Sequence, residues 1–172
     1  MKNKYALHRW FKWGTIIFGI AVVLILGYGA VVYKSIQNDK TEGFNESKQT
    51  ILAQTEVIHE DHMTAFYGEE AFHILFGRTD SSEAKIVFLP LNNDDDLTVL
   101  DQSDIISKSE IKQDWHRQCT HCSLVKITPA MIKNKPLWEI TYKDRQNRYV
   151  FDYLSMYDAS RYERYAFRKM FN

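Results

Sequence analysis

The sequence predicts an α+β protein in which an N-terminal transmembrane helix is followed by two tandem units, each a helix packed on an antiparallel sheet. Three observations carry that reading. One uncharged apolar stretch occupies 14–33. A helical pattern followed by strands rich in aromatic and β-branched residues comes after it, and the same order then recurs. Phe72 and Trp138 open corresponding strands, and the two helices are offset by a similar distance. The organisation expected is a basic cytoplasmic tail at 1–13, a transmembrane helix at 14–33, a first unit at 34–91, a linker at 92–104 and a second unit at 105–172.

The stretch 14–33 has only one Thr and two Tyr as polar side chains. At about 1.5 Å of rise per residue it covers roughly 30 Å, the hydrocarbon thickness of a bilayer, where only a helix satisfies all its own backbone groups. Lys2, Lys4, Arg9 and Lys12 precede it without an acidic residue, and Asp39 and Glu42 follow it. The positive flank stays inside, so the N-terminus is expected in the cytoplasm and the C-terminal part outside the cell. The apolar region is longer than that of a cleaved signal, and no small-x-small site follows before Lys34. No cysteine precedes Cys119, which removes a lipoprotein anchor. Gly14, Gly19, Gly27 and Gly29 would let another helix approach closely, without forming a strict G-x-x-x-G.

The chain has 22 basic and 22 acidic residues, and five of the basic ones lie in 1–34, which has no acid. The exterior portion therefore carries 17 basic against 22 acidic side chains, a mildly negative balance. A nucleic-acid partner is disfavoured, because such binders displace counterions with a basic surface.

In the first unit Phe44, Ile51, Leu52, Thr55 and Ile58 recur at helical spacing, ending before the polar run His59-Glu60-Asp61-His62. Phe72, Ile74 and Phe76 then alternate along a strand, the run from Gly77 to Ser82 turns, and Lys85 to Leu89 returns. Asn92 to Asp96 opens the linker. In the second unit Ser107 and Glu110 form a capping box before Ile111, Trp115 and Cys119 at i, i+4, i+8. Trp138, Ile140 and Tyr142 alternate, a polar turn follows, and Tyr149, Phe151 and Tyr153 alternate again. Tyr157, Tyr162, Tyr165 and Phe167 remain for a third strand or for contacts between the two units. Units this small bury only about 60% of their chain surface alone, so the two are expected to pack together.

Motifs that could carry chemistry fall short. His59 and His62 are spaced by three, whereas the metalloprotease signature needs four on one helical face, so a helix end or polar turn is expected. The oxygens of Asn92-Asn93-Asp94-Asp95-Asp96 would need Gly and Glu where Leu97 and Ser103 stand to make a calcium loop. Cys119-Thr120-His121-Cys122 lacks the second ligand pair of a zinc site and closes a helix where a redox pair would open one. A local structural disulfide, which an oxidising exterior permits, is the reading preferred over redox function. No nucleophile motif or phosphate loop occurs, and sequence alone cannot place two carboxylates at the separation a wall hydrolase would need. No enzyme, metal or cofactor is therefore expected. Exposed aromatics on a sheet would suit protein binding, and Trp138, Tyr142 and Tyr149 are the candidate contacts provided that they are exposed.

The segments Tyr67-Gly68-Glu69-Glu70-Ala71-Phe72-His73-Ile74-Leu75-Phe76-Gly77, Ile86-Val87-Phe88 and Pro136-Leu137-Trp138-Glu139-Ile140-Thr141-Tyr142 carry a resemblance. Together with the basic tail, the anchor and the acidic linker, they resemble the TseB (YpmB) family of Gram-positive bacilli along the full chain. The resemblance implies tandem cystatin-like or PepSY-like units. It also implies a non-enzymatic role in cell wall elongation through a class B penicillin-binding protein at the membrane. The Cys119/Cys122 pair and the glycine-free turn Arg145-Gln146-Asn147-Arg148 depart from the family pattern. The alternative role, from a different class, is inhibition or modulation of an extracytoplasmic protease by PepSY-type units.

Overall fold

The computed structural model describes residues 14, 18–33, 43–92 and 96–168. The chain divides into two compact units, Met1–Glu42 and Gly43–Asn172. In the first, residues 18–33 are helical (α1), and the side chains of Phe18, Ile25 and Leu26 are exposed. Among the described residues no helix is long and apolar enough to cross a membrane. The predicted tail 1–13 and positions 15–17 of the predicted span lie outside the described residues.

The second unit runs through helix α2 (Phe44–Gln54) and strands β1 (Val57–Tyr67), β2 (Ala71–Thr79), β3 (Ala84–Pro90) and β4 (Thr98–Asp101). A 3-10 turn (Gln102–Asp104) leads to α3 (Lys108–Gln118), β5 (Ser123–Ile132), β6 (Lys135–Lys143), β7 (Tyr149–Ser155) and β8 (Arg161–Phe167). The strands form two antiparallel sheets, sheet A in the order β1-β2-β3-β4 and sheet B in the order β5-β6-β7-β8. A helix followed by a four-stranded antiparallel sheet therefore occurs twice, within an α+β fold.

Helix α2 begins after Gly43, whose left-handed φ of 78° is easy for glycine alone. It buries Ser47 and Ile51, one turn apart, and Ile51 packs with Leu75 and Val87 on one face of sheet A. Helix α3 starts at the capping box: Ser107 N–H donates to Glu110 Oε2 at 2.9 Å, and Glu110 N–H donates to Ser107 Oγ at 3.3 Å. Ile111 and Trp115 form its buried stripe, and the Trp115 ring meets Tyr142 of β6 edge-on at 5.4 Å.

The other face of sheet A, with Phe72, Ile74, Ile86 and Phe88, joins α3 and the Trp138 and Ile140 side chains of sheet B in one buried cluster. At roughly 1.5–3 kcal/mol for each large apolar side chain removed from water, this shared core dominates what holds the two sheets together.

Four differences from the sequence reading have physical causes. Helix α2 ends at Gln54, where Thr55 N–H and Oγ1 both donate to the Ile51 carbonyl, so Ile58 and the His59-to-His62 run lie on β1. That stretch of β1 is exposed and carries no alternation to betray a strand. Strand β4 falls inside the segment read as a linker, pairing Val99 with Val87 and Leu100 with Ile86. Strand β5, which has no counterpart in the sequence reading, pairs with β6 from Ser123 to Ile132 as an edge strand and carries Pro129, a residue that argues against a strand until the pairing is known. Tyr162, Tyr165 and Phe167 lie on β8, the fourth strand of sheet B, whereas Tyr157 lies in the turn before it. Asn93, Asp94 and Asp95 of the acidic run lie outside the described residues.

Candidate functional site

Strand parity sorts the aromatic residues of sheet B onto two faces. In register, Trp138 pairs with Leu154, Ile140 with Asp152 and Tyr142 with Val150, which turns these side chains toward α3 and the core. Glu139 pairs with Tyr153, Thr141 with Phe151 and Lys143 with Tyr149, all on the opposite face. Strand β8 extends that second face, since Phe151 pairs with Tyr165 and Tyr149 with Phe167.

Of the three candidate contact residues, Trp138 and Tyr142 are each 2% exposed, so the structure assigns both to packing. Trp138 Nε1 donates to the Ile106 carbonyl at 2.9 Å, which satisfies its one polar atom inside the core. Tyr149 is 39% exposed, with Lys143 Nζ 5.0 Å from its ring centroid. The aromatic side chains beside it, which the sequence reading places on strands and not among the contacts, form the surface. Tyr165 is 47% and Phe167 57% exposed, Phe151 and Phe167 meet edge-on at 5.9 Å, and Tyr153 and Tyr165 do so at 6.3 Å. Five aromatic rings thus share one face of β7 and β8. The signal that could have found them is the alternation Tyr149, Phe151, Tyr153 continued by Tyr165 and Phe167 in one antiparallel register.

Two buried carboxylates, one on each side of the sheet, fix this face. Glu139 accepts from Tyr153 Oη at 2.9 Å and from Thr141 Oγ1 at 3.1 Å, and Lys126 Nζ lies 2.9 Å away. Burial, and next the bond to Glu139, push the Tyr153 phenol far above its ordinary pKa, so it stays a donor. On the core side Asp152 accepts from Arg161 Nε at 2.8 Å, and Arg164 Nη2 donates to Tyr142 Oη at 2.6 Å. These cross-strand bonds tie β8 to β7 and β6. Both buried carboxylates are paired and hydrogen-bonded, the condition under which a buried charge is tolerated.

The other sequence candidates resolve locally. His62 stacks on Phe76 at 4.2 Å, and among the described residues no group of three or more His, Cys, Asp and Glu could hold a metal ion. Cys119 and Cys122 are joined in a disulfide just beyond α3, where the Cys119 N–H donates to the Trp115 carbonyl at 2.9 Å. Both cysteines pack against the main core, in agreement with a local structural bridge.

What the surface can do is bind: a firm, partly apolar sheet face with phenol hydroxyls at its margin resembles the aromatic centre of protein interfaces. No protein-family model matches the sequence. The chain is 25% identical over 140 residues, 81% of its own length and 87% of the relative's, to the probable cell wall elongation regulator TseB of Bacillus subtilis (strain 168). Its fold is similar to the solved YpmB protein from Bacillus subtilis, with a TM-score of 0.67 and 19% identity over 73% of this chain and 98% of that one. The resemblance to the TseB/YpmB family read from the aromatic strands is thereby borne out.

Proposed function

We propose that this chain, a relative of the TseB/YpmB proteins, is a non-enzymatic regulator of cell wall elongation, anchored in the membrane, that binds a class B penicillin-binding transpeptidase. The observation that carries the reading is the similarity to TseB along 87% of that regulator's length, which favours a shared role for the whole protein over a borrowed domain. The two helix-plus-sheet halves read as tandem cystatin-like or PepSY-like units that have fused their cores. Their product is an interaction surface, the aromatic face of sheet B, in which Tyr149, Tyr165 and Phe167 offer apolar area and the two buried carboxylates are neutralised by fixed partners.

The uncharged stretch 14–33, helical at 18–33, and the basic residues before it support a single anchor with the N-terminus inside and the sheets outside. Anchoring confines the regulator and its partner to one thin layer, raising effective concentration so that a weak interface suffices.

The test is in-cell crosslinking of the epitope-tagged full chain, with captured membrane proteins identified against a control whose anchor is swapped. Reproducible capture of a class B transpeptidase is expected. Dominance of a membrane protease, with no transpeptidase captured, would contradict the reading in favour of a protease modulator.

A further inference from the structure

At one end of the aromatic face, a cleft of about 210 Å³ opens beside the turn that joins β1 to β2 and the turn that joins β5 to β6. Its floor is apolar: Phe66 and Met131 are buried, and Tyr153 and Tyr165 of β7 and β8 form the wall. Gly68 belongs to this construction, because a Cβ there would lie 2.7 Å from the Phe66 ring, which needs that space. Glu69, Glu70 and Glu163 also line the cleft, with Lys133 as its one basic residue.

Among the described residues those three glutamates enter no ion pair, whereas Glu60, Asp101, Glu139 and Asp152 each face a cation. The Tyr165 hydroxyl donates to Glu163, and that bond, with the nearby charge of Glu69 adding to it, holds the phenol above its ordinary pKa. Two of the carboxylates thus act on one exposed ring.

A purely apolar occupant would strip water from three carboxylates and return nothing to them. A long basic side chain meets both demands, its methylene stem lying on the aromatic wall and its charged head reaching the carboxylates. The net negative charge of the exterior portion works in the same direction at longer range. We propose that this cleft takes a lysine or arginine side chain presented by a segment of the partner protein. The proposal rests on the reading that the chain works by binding a protein, and it names the charge that the partner must bring.

The experiment uses the full chain and two blocked pentapeptides, one with a central arginine and one with citrulline, its neutral isostere. Binding is followed through the NMR signals of Met131 and the tyrosine rings. The arginine peptide should shift Met131 and Tyr165, and the citrulline peptide should bind at least tenfold more weakly. The double variant Glu69→Gln, Glu163→Gln should lose tenfold in affinity, whereas Glu46→Gln on α2 should lose none. Equal binding of the two peptides, or no change in the double variant, would overturn the assignment. Tighter binding of an amine-bearing wall fragment than of the arginine peptide would overturn the choice of a protein segment. Crosslinking in cells separates the two claims. If a folded Glu69→Lys, Glu163→Lys variant still captures the transpeptidase undiminished, the cleft assignment fails and the function stands. If the natural chain binds the arginine peptide but captures no transpeptidase, the function fails and the cleft stands.

Discussion

At Gly77 the backbone of β1 comes so close that an added Cβ would lie 2.5 Å from the His59 carbonyl oxygen and 2.6 Å from Val57 Cγ1. The register of β1 on β2 shifts between Val57 and His59, so the crowding belongs to a bulge that neither strand can relax alone. Gly77→Ala is expected to cost about 1–3 kcal/mol, read as a lower denaturant midpoint at unchanged slope. His73 is buried on the α2 side of sheet A, its Nδ1 2.7 Å from Ser47 Oγ and its ring edge-on to Phe44 at 4.6 Å. Burial holds its pKa below 6.5, so the unfolded chain takes up the proton first as the pH falls. Its stabilising contribution is therefore full above pH 6.5 and is lost progressively below it. His73→Gln should flatten that acid limb in denaturation profiles measured across it. Single residues were the least legible scale in the sequence. Trp138, Tyr142 and Tyr149 are alike in composition, and only the register with β7 separates two packed rings from one exposed ring.

Elements were legible where local chemistry dictated them. The Ser107/Glu110 capping box specifies where α3 starts without help from the rest of the fold, and Ser107→Ala should cost about 1 kcal/mol, seen as a lower melting temperature. The central strands β2, β3 and β6 announced themselves by apolar runs or alternation because most of their residues are buried, and β7 did so by the alternation of its aromatic side chains. The outer strands did not, since β1 and β8 are largely exposed and β4 is short, and what makes each a strand is the neighbour that it pairs with. Strand β8 owes its place to cross-strand polar contacts as well as to its ladder. Asp152 is buried, but Arg161 and Arg164 are half-exposed and solvent screens them, so Asp152→Asn is expected to cost about 1–3 kcal/mol. Hydrogen exchange should quicken in β8 more than in β6.

In the unit Gly43–Asn172 the two sheets and α3 share one main buried cluster, and α2 packs on a smaller one on the other face of sheet A. The α+β class was legible because it follows from the order of elements. The aromatic face of sheet B was only glimpsed, through Tyr149, because it is assembled from two strands whose pairing no local pattern encodes. The cleft of Phe66, Glu69 and Glu163 draws on residues far apart in the chain and left no signal in either stretch. We propose that the chain regulates wall elongation by docking a transpeptidase on the aromatic face of sheet B. The measurement that tests it most directly places a photo-crosslinking amino acid at Phe167 on that face, and in a separate chain at Gln113, exposed on α3, whose Trp115 packs on the other side of the sheet through Tyr142. Phe167 is expected to capture a class B transpeptidase in living cells, and Gln113 is not. Equal capture from both positions, or capture from Gln113 alone, would contradict it.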